Sequence, residues 1–267
     1  MSFCFGLYSN DAGVLTTAFE PFAKDLMAED ARRGWGMGYY QAAQPLFRKQ
    51  PRSTDAELFF ADKVSDLRAS LLLGHVRPAD AVNAIPENTA PFRYQNWFFS
   101  SCGQFSNFDE LKAEMVGSVP EYMRRNIKGS TPGECLFHLF LAFLNDTGKV
   151  NDPKLGGQVA ARALTSTLNY LDRLMTTNSV SAAPLACVVT NGRLLLAVSS
   201  GLPLCVSRHT SYNNVGRDAD GRPLSYPHLK AVAILAGKPP RADVGWESVS
   251  ERAVVCVDSE LNIEHHS

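Results

Sequence analysis

Residues 1–10 read MSFCFGLYSN, and the alternation inside them decides how the rest of the chain is read. Phe3, Phe5 and Leu7 fall on one parity and Ser2, Cys4, Gly6 and Tyr8 on the other, the period-two signature of a β-strand with one apolar face. Ser2 and Cys4, both potential nucleophiles, therefore share a face, with Cα atoms about 7 Å apart. An N-terminal serine, exposed once methionine is removed, can use its own α-amine as general base. That amine has a pKa of about 7.7–8.0, so a useful fraction is unprotonated near neutrality. Cys4 is the better intrinsic nucleophile, but it is internal and has no amine of its own. On its strand it could line the same pocket without acting. Taken alone, a serine in second place is an ordinary start to a buried strand.

Working outward, residues 11–32 read as an amphipathic helix and turn. GWGMGYYQ (34–41) reads as a strand whose glycines imply close backbone approach. ASLLLGHVR (69–77) is a short apolar strand ending in charge, and NWFFSSCGQF (96–105) an aromatic strand meeting a glycine turn. STPGECLFHLFLAFL (130–144) carries a helix start: Thr131 as N-cap, Pro132 in the first position and Glu134 in the third, a capping box. The apolar residues that follow run almost all the way round, so this helix is expected to be buried. A second helix follows over 156–176. PLACVVTNGRLLLAVSS predicts two strands around a two-residue Asn191-Gly192 turn. Further strands are PLCVSR, KAVAILAG and RAVVCVD, the last turning into LNIEHH, while the polar loop 209–228, Tyr212 included, is expected to be exposed and mobile. Strands, then two long helices, then strands again, with no repeat and no linker, predict one domain over 1–267. Its fold class is α+β, two sheets with helices packed on them as a layered sandwich.

Composition excludes several functions. Lys+Arg 26 against Asp+Glu 27 leaves a formal charge of −1, with no basic field for nucleic acid or a membrane surface. The start lacks a basic n-region and an apolar h-region, and the longest apolar run, CLFHLFLAFL, is about half of what spans a bilayer. A soluble, cytoplasmic protein is expected. Six scattered cysteines (4, 102, 135, 187, 205, 256) form no CxxC and no zinc spacing, so free thiols and no metal or cofactor are expected.

Two further stretches carry chemistry. HVRPAD puts His75 and Arg77 on one face at a strand end, where an arginine can fork a carboxylate or simply form a surface ion pair. SSCG ends a strand at Gly103, where backbone N–H groups can converge on an oxyanion or merely make a turn.

MSFCFGLYSN, GWGMGYY, HVRPAD, ENTAPF, NWFFSSCGQF and STPGE, in that order, resemble the stand-alone class II glutamine amidotransferases, which are N-terminal nucleophile (Ntn) hydrolases. The similarity is to the branch of γ-glutamyl hydrolases in ergothioneine biosynthesis and glutathione breakdown. The closing stretch AILAGKPPRADVGWESVSERAVVCVDSELNIEHH is also similar. The resemblance implies a four-layer αββα sandwich and hydrolysis of glutamine or a γ-glutamyl amide. By the spacing to Gly6, Ser2 holds the nucleophile position, which is a cysteine in the family. Arg77 matches the substrate-carboxylate anchor, with His75 and Trp35 completing the candidate substrate-binding set. The family's oxyanion turn, His-Asn-Gly, appears as Ser101-Cys102-Gly103, so Gly103 is kept and Cys102 is a weak donor in place of an amide. Pro132 stands where the family has an acid for the substrate α-amine, and Ala90 where it has a histidine. The resemblance therefore leaves two readings. One is a diverged amide hydrolase acting on a small carboxylate-bearing amide. The other is a catalytically inactive relative serving as a binding module or with a partner protein.

Overall fold

The computed structural model describes residues 2–26, 34–52, 60–77, 84–105, 107–182, 184–213, 220, 222–241 and 245–267. The end of the predicted 11–32 helix and the tip of the 209–228 loop lie outside the described residues. Elements follow in chain order: β1 (Phe3–Ser9), α1 (Leu15–Phe19), β2 (Trp35–Gln41), β3 (Gln44–Gln50), α2 (Phe60–Val64), β4 (Leu71–Val76), β5 (Phe92–Tyr94) and β6 (Trp97–Gly103). Then come α3 (Phe108–Gly117), α4 (Glu121–Arg124), α5 (Pro132–Asp146), α6 (Gly157–Thr177), β7 (Leu185–Thr190) and β8 (Leu195–Ser200). The chain finishes with β9 (Leu204–His209), β10 (Ala231–Ala236), β11 (Glu247–Ser248), β12 (Val254–Val257) and β13 (Ile263–His266).

Among the described residues the strands form two antiparallel sheets, ordered β11-β9-β10-β1-β4-β2-β3 and β13-β12-β8-β7-β6-β5. The alternation in β1 shows why the sheets stack. Phe3, Phe5 and Leu7 face outward with Leu15, Phe19 and Phe22. Cys4 and Tyr8 face inward with Phe98, Val188, Leu195 and Ile234 of neighbouring strands and the other sheet. Gly6 lies on the inner face, where a Cβ would come 2.6 Å from Leu195 Cδ1, so the lack of a side chain lets the sheets approach. On the far side of the second sheet, α5 and α6 bury Leu136, Phe140, Leu164, Leu168 and Leu171 against Phe99, Val189 and Leu196. Helix, sheet, sheet, helix is the four-layer αββα sandwich of the Ntn type.

Several local expectations hold in modified form. The 11–26 stretch breaks into short turns, with α1 only five residues long between two 3₁₀ segments. Thr131 caps α5 by accepting the Glu134 N–H at 3.4 Å, but Glu134 does not close the box. Its carboxylate accepts from Lys128 N (2.8 Å) and Gly129 N (2.7 Å) in the preceding loop. The Asn191-Gly192 turn is longer than two residues, since Thr190 pairs with Leu195. The Asn191 side chain closes it by accepting from Arg193 N (3.0 Å) and Leu194 N (2.9 Å). Tyr212, expected in an exposed loop, is fully buried, and its hydroxyl donates to Ala18 O at 3.0 Å. No helix among the described residues is long and apolar enough to cross a membrane.

Candidate active site

β1 lies between β4 and β10, with Cys4 paired to both His75 and Ala236. Phe3 pairs with Val76, so one more step of the register sets Ser2 beside Arg77. At this end of the sandwich a cleft of about 570 Å³ opens, and Ser2, His75, Arg77, Cys102, Gly103 and Gly237 are among its walls. Five of the six residues singled out from the sequence thus meet in one cavity.

Arg77 is only 8% exposed. Its backbone N–H donates to Gly34 O (2.7 Å), and its Nη1 donates to Thr89 Oγ1 (3.2 Å). Thr89 is fixed in turn by donating to Ile85 O at 2.8 Å. Burial lowers the guanidinium pKa from its ordinary value, but a guanidinium stays charged in proteins. His75 is 6% exposed, and its Nδ1 has no hydrogen-bond partner among the described residues. Burial first, and the Arg77 charge second, bring its pKa down to about 3 against an opposing backbone hydrogen bond with Ser101. The ring is therefore a neutral imidazole at any physiological pH.

Gly103 ends β6 with φ +140°, and a Cβ there would sit 2.2 Å from Pro184 O, so both conformation and space demand glycine. Cys102 is turned inward. Its Sγ lies 3.6 Å from Ala236 O and 3.8 Å from Cys4 Sγ, and a Cβ on Gly237 would come 2.4 Å from it. Cys4 is wholly buried between the sheets and is not among the described residues that line the cleft, contrary to the expectation that it could share the pocket. Burial, followed by its contact with Cys102, raises its pKa well above the usual thiol value, so no thiolate forms there.

Trp35 is not brought to the cleft. It has the parity of Met37 and Tyr39 on β2, and all three pack into the outer cluster with α1, where the Lys63 ammonium sits 5.9 Å over the Trp35 ring. Thr131, Pro132 and Gly133, the start of α5, form another wall. Gly133 packs so closely on Ser101 that a Cβ would lie 2.5 Å from the hydroxyl.

Two supporting residues escape the sequence reading. Thr89, in the ENTAPF stretch, is a partner of Arg77, across twelve residues that carry no short-range signal of the contact. Lys49, on edge strand β3, donates to Pro86 O (3.3 Å) and lies 5.7 Å over the Phe92 ring. Its burial brings its pKa down to about 8, opposed by Glu134 and Glu87. Among the described residues there is no cluster of side chains that could hold a metal ion.

The two stacked sheets between helices, with a cleft at the residue preceding the first strand, define the Ntn hydrolase class of fold. Solved structures share it. A predicted glutamine amidotransferase from Pseudomonas aeruginosa superposes with TM-score 0.61 at 15% identity, covering 97% of this chain and 98% of that one. Glutamine phosphoribosylpyrophosphate amidotransferase from B. subtilis does so with TM-score 0.58 at 15% identity, over 99% of this chain but 48% of that one. The family model of the class-II glutamine amidotransferases matches residues 1–261, and the chain belongs to that family. It is 28% identical over 194 residues to the probable glutamine amidotransferase DUG3 of Saccharomyces cerevisiae, a match covering 66% of this chain and about half (51%) of that relative.

Proposed function

We propose that the protein is a diverged amide hydrolase acting on a glutamine-like or γ-glutamyl amide, with Ser2 as its N-terminal nucleophile. The observation carrying this reading is the convergence of Ser2, Arg77 and Gly103 on one cleft. Arg77 anchors the substrate carboxylate through its planar fork. The Ser2 hydroxyl attacks the amide carbonyl carbon while its proton passes to the free α-amine. The Gly103 N–H stabilises the oxyanion, the C–N bond breaks, and ammonia, or the amine of a γ-glutamyl amide, leaves with the proton returned from the α-ammonium. Water then hydrolyses the acyl-serine ester and regenerates Ser2. His75, neutral and buried, serves as framework beside Arg77 rather than as a base.

Cys102 favours a second reading, a binding module without turnover. Its thiol is engaged with Ala236 O, which leaves a single backbone donor for the oxyanion. Loss of one such donor costs about 10²–10³ in rate. Intact-mass measurement, with ammonia release from glutamine and glutamate release from γ-glutamyl peptides by wild type and Ser2→Ala, separates the two. A free Ser2 amine and a rate abolished in Ser2→Ala is the expected outcome. Retained Met1 refutes the hydrolase, and equal rates from both proteins refute it for those substrates.

A further inference from the structure

The cleft walls discriminate between kinds of amide. Arg77 supplies a buried positive charge. Thr131, Pro132 and Gly133 add the N-terminus of a fifteen-residue helix, the positive end of its dipole. The one carboxylate in the first turn of α5, Glu134, is drawn away onto Lys128 N and Gly129 N. Among the described residues that line the cleft, none is acidic. An α-ammonium held here would sit near two positive features with no counter-charge among the described lining residues, and burying an unpaired charge is costly. Phe92, Phe105, Pro184, Leu185 and Leu202 make much of the remaining wall apolar. At about 570 Å³ the cavity falls in the range that encloses drug-sized ligands, more than a lone amino acid fills.

We infer that the cleft takes an ω-amide whose carboxylate is held by Arg77 and whose α-nitrogen is acylated, hence uncharged, with the acyl group against the apolar wall. An N-acylated glutamine-like compound is preferred to free glutamine. The inference names the substrate class of the hydrolase reading above, on which its catalytic half rests, while its binding half needs no turnover.

Calorimetric titration of Ser2→Ala with glutamine, N-acetylglutamine and N-carbobenzyloxyglutamine, beside ammonia release by the wild type, tests it. The blocked compounds bind at least about tenfold more tightly than glutamine, the worth of one unfavourable charged contact removed. Pro132→Asp raises glutamine affinity about tenfold and leaves the blocked compounds no tighter. Thr131→Asp, which retains an N-cap acceptor, does the same where Pro132→Asp disturbs the helix start. Glutamine binding as tightly as the blocked compounds overturns the inference, as does an unchanged preference in both variants once they are shown to be folded. Selective binding without ammonia release leaves the inference standing and removes the hydrolase reading. Ammonia release fastest from free glutamine does the reverse, and no binding of any of the three overturns the inference.

Discussion

Acidification should cost this protein stability through His75 in particular. The ordinary imidazole value is 6.5, and in the folded protein burial and Arg77 hold it near 3. The unfolded chain therefore binds the proton first. The stabilisation is complete above pH 6.5 and drains away as pH falls from 6.5 towards 3. Each pH unit within that window removes about 1.4 kcal/mol, so descending from pH 7 to 5 costs about 2 kcal/mol. Urea unfolding at pH 7, 6 and 5, on wild type and His75→Gln, measures the effect. Burial also lowers the pKa of His138, and that contribution cancels between the two proteins because both retain it. The wild type should lose about 2 kcal/mol more than the variant over this interval. Equal losses would show that the ring is not held neutral, and the account of Arg77 and burial acting on His75 would fail.

Other outcomes follow from single contacts. Cys4→Ala should leave any Ser2-dependent activity intact, because Cys4 is sealed between the sheets. A loss of turnover at unchanged fold would return the thiol to the mechanism. Cys102→Asn places a side-chain amide at the oxyanion turn and should raise ammonia release by about 10²–10³ where Ser2 is the nucleophile. No gain in a folded variant would mean that the side chain does not reach the reacting oxygen. Asp25 is buried and accepts from Arg241 N and from Trp246 Nε1, the latter at 2.8 Å. Asp25→Ala leaves those donors without their acceptor and should cost about 2–4 kcal/mol in chemical denaturation.

The parts legible in the sequence were those where one short-range rule governs. Alternation in β1 sorted its residues correctly between the outer cluster and the sheet interface. Thr131 and Pro132 correctly marked the start of α5. What escaped depended on distant partners. Tyr212 sits in a stretch of turn residues, and only the carbonyl of Ala18 makes its burial intelligible. Glu134 has the spacing of a capping box, yet the preceding loop offers its carboxylate two N–H groups and wins. Strand β3 and helix α3 carry only a weak apolar pattern, β3 being an edge strand with Phe47 largely exposed. Trp35 shares the parity of Met37 and Tyr39, and that short-range rule turns it outward, away from the cleft. Family resemblance aligned the cleft residues by motif, but the direction of the Cys102 thiol rests on Ala236, far along the chain.

That dependence has a consequence for how the protein is made. β1 leaves the ribosome first, gains β4 after some seventy residues, and meets its second neighbour only when Ala231–Ala236 appears. At about 5–20 residues per second, one edge of that strand stays open for on the order of ten seconds or more. Where Ser2 acts as proposed, the exposure of its amine falls within this interval, before the cleft is built around it. A chain cut short of β10 would carry Ser2 without the strand that seats it.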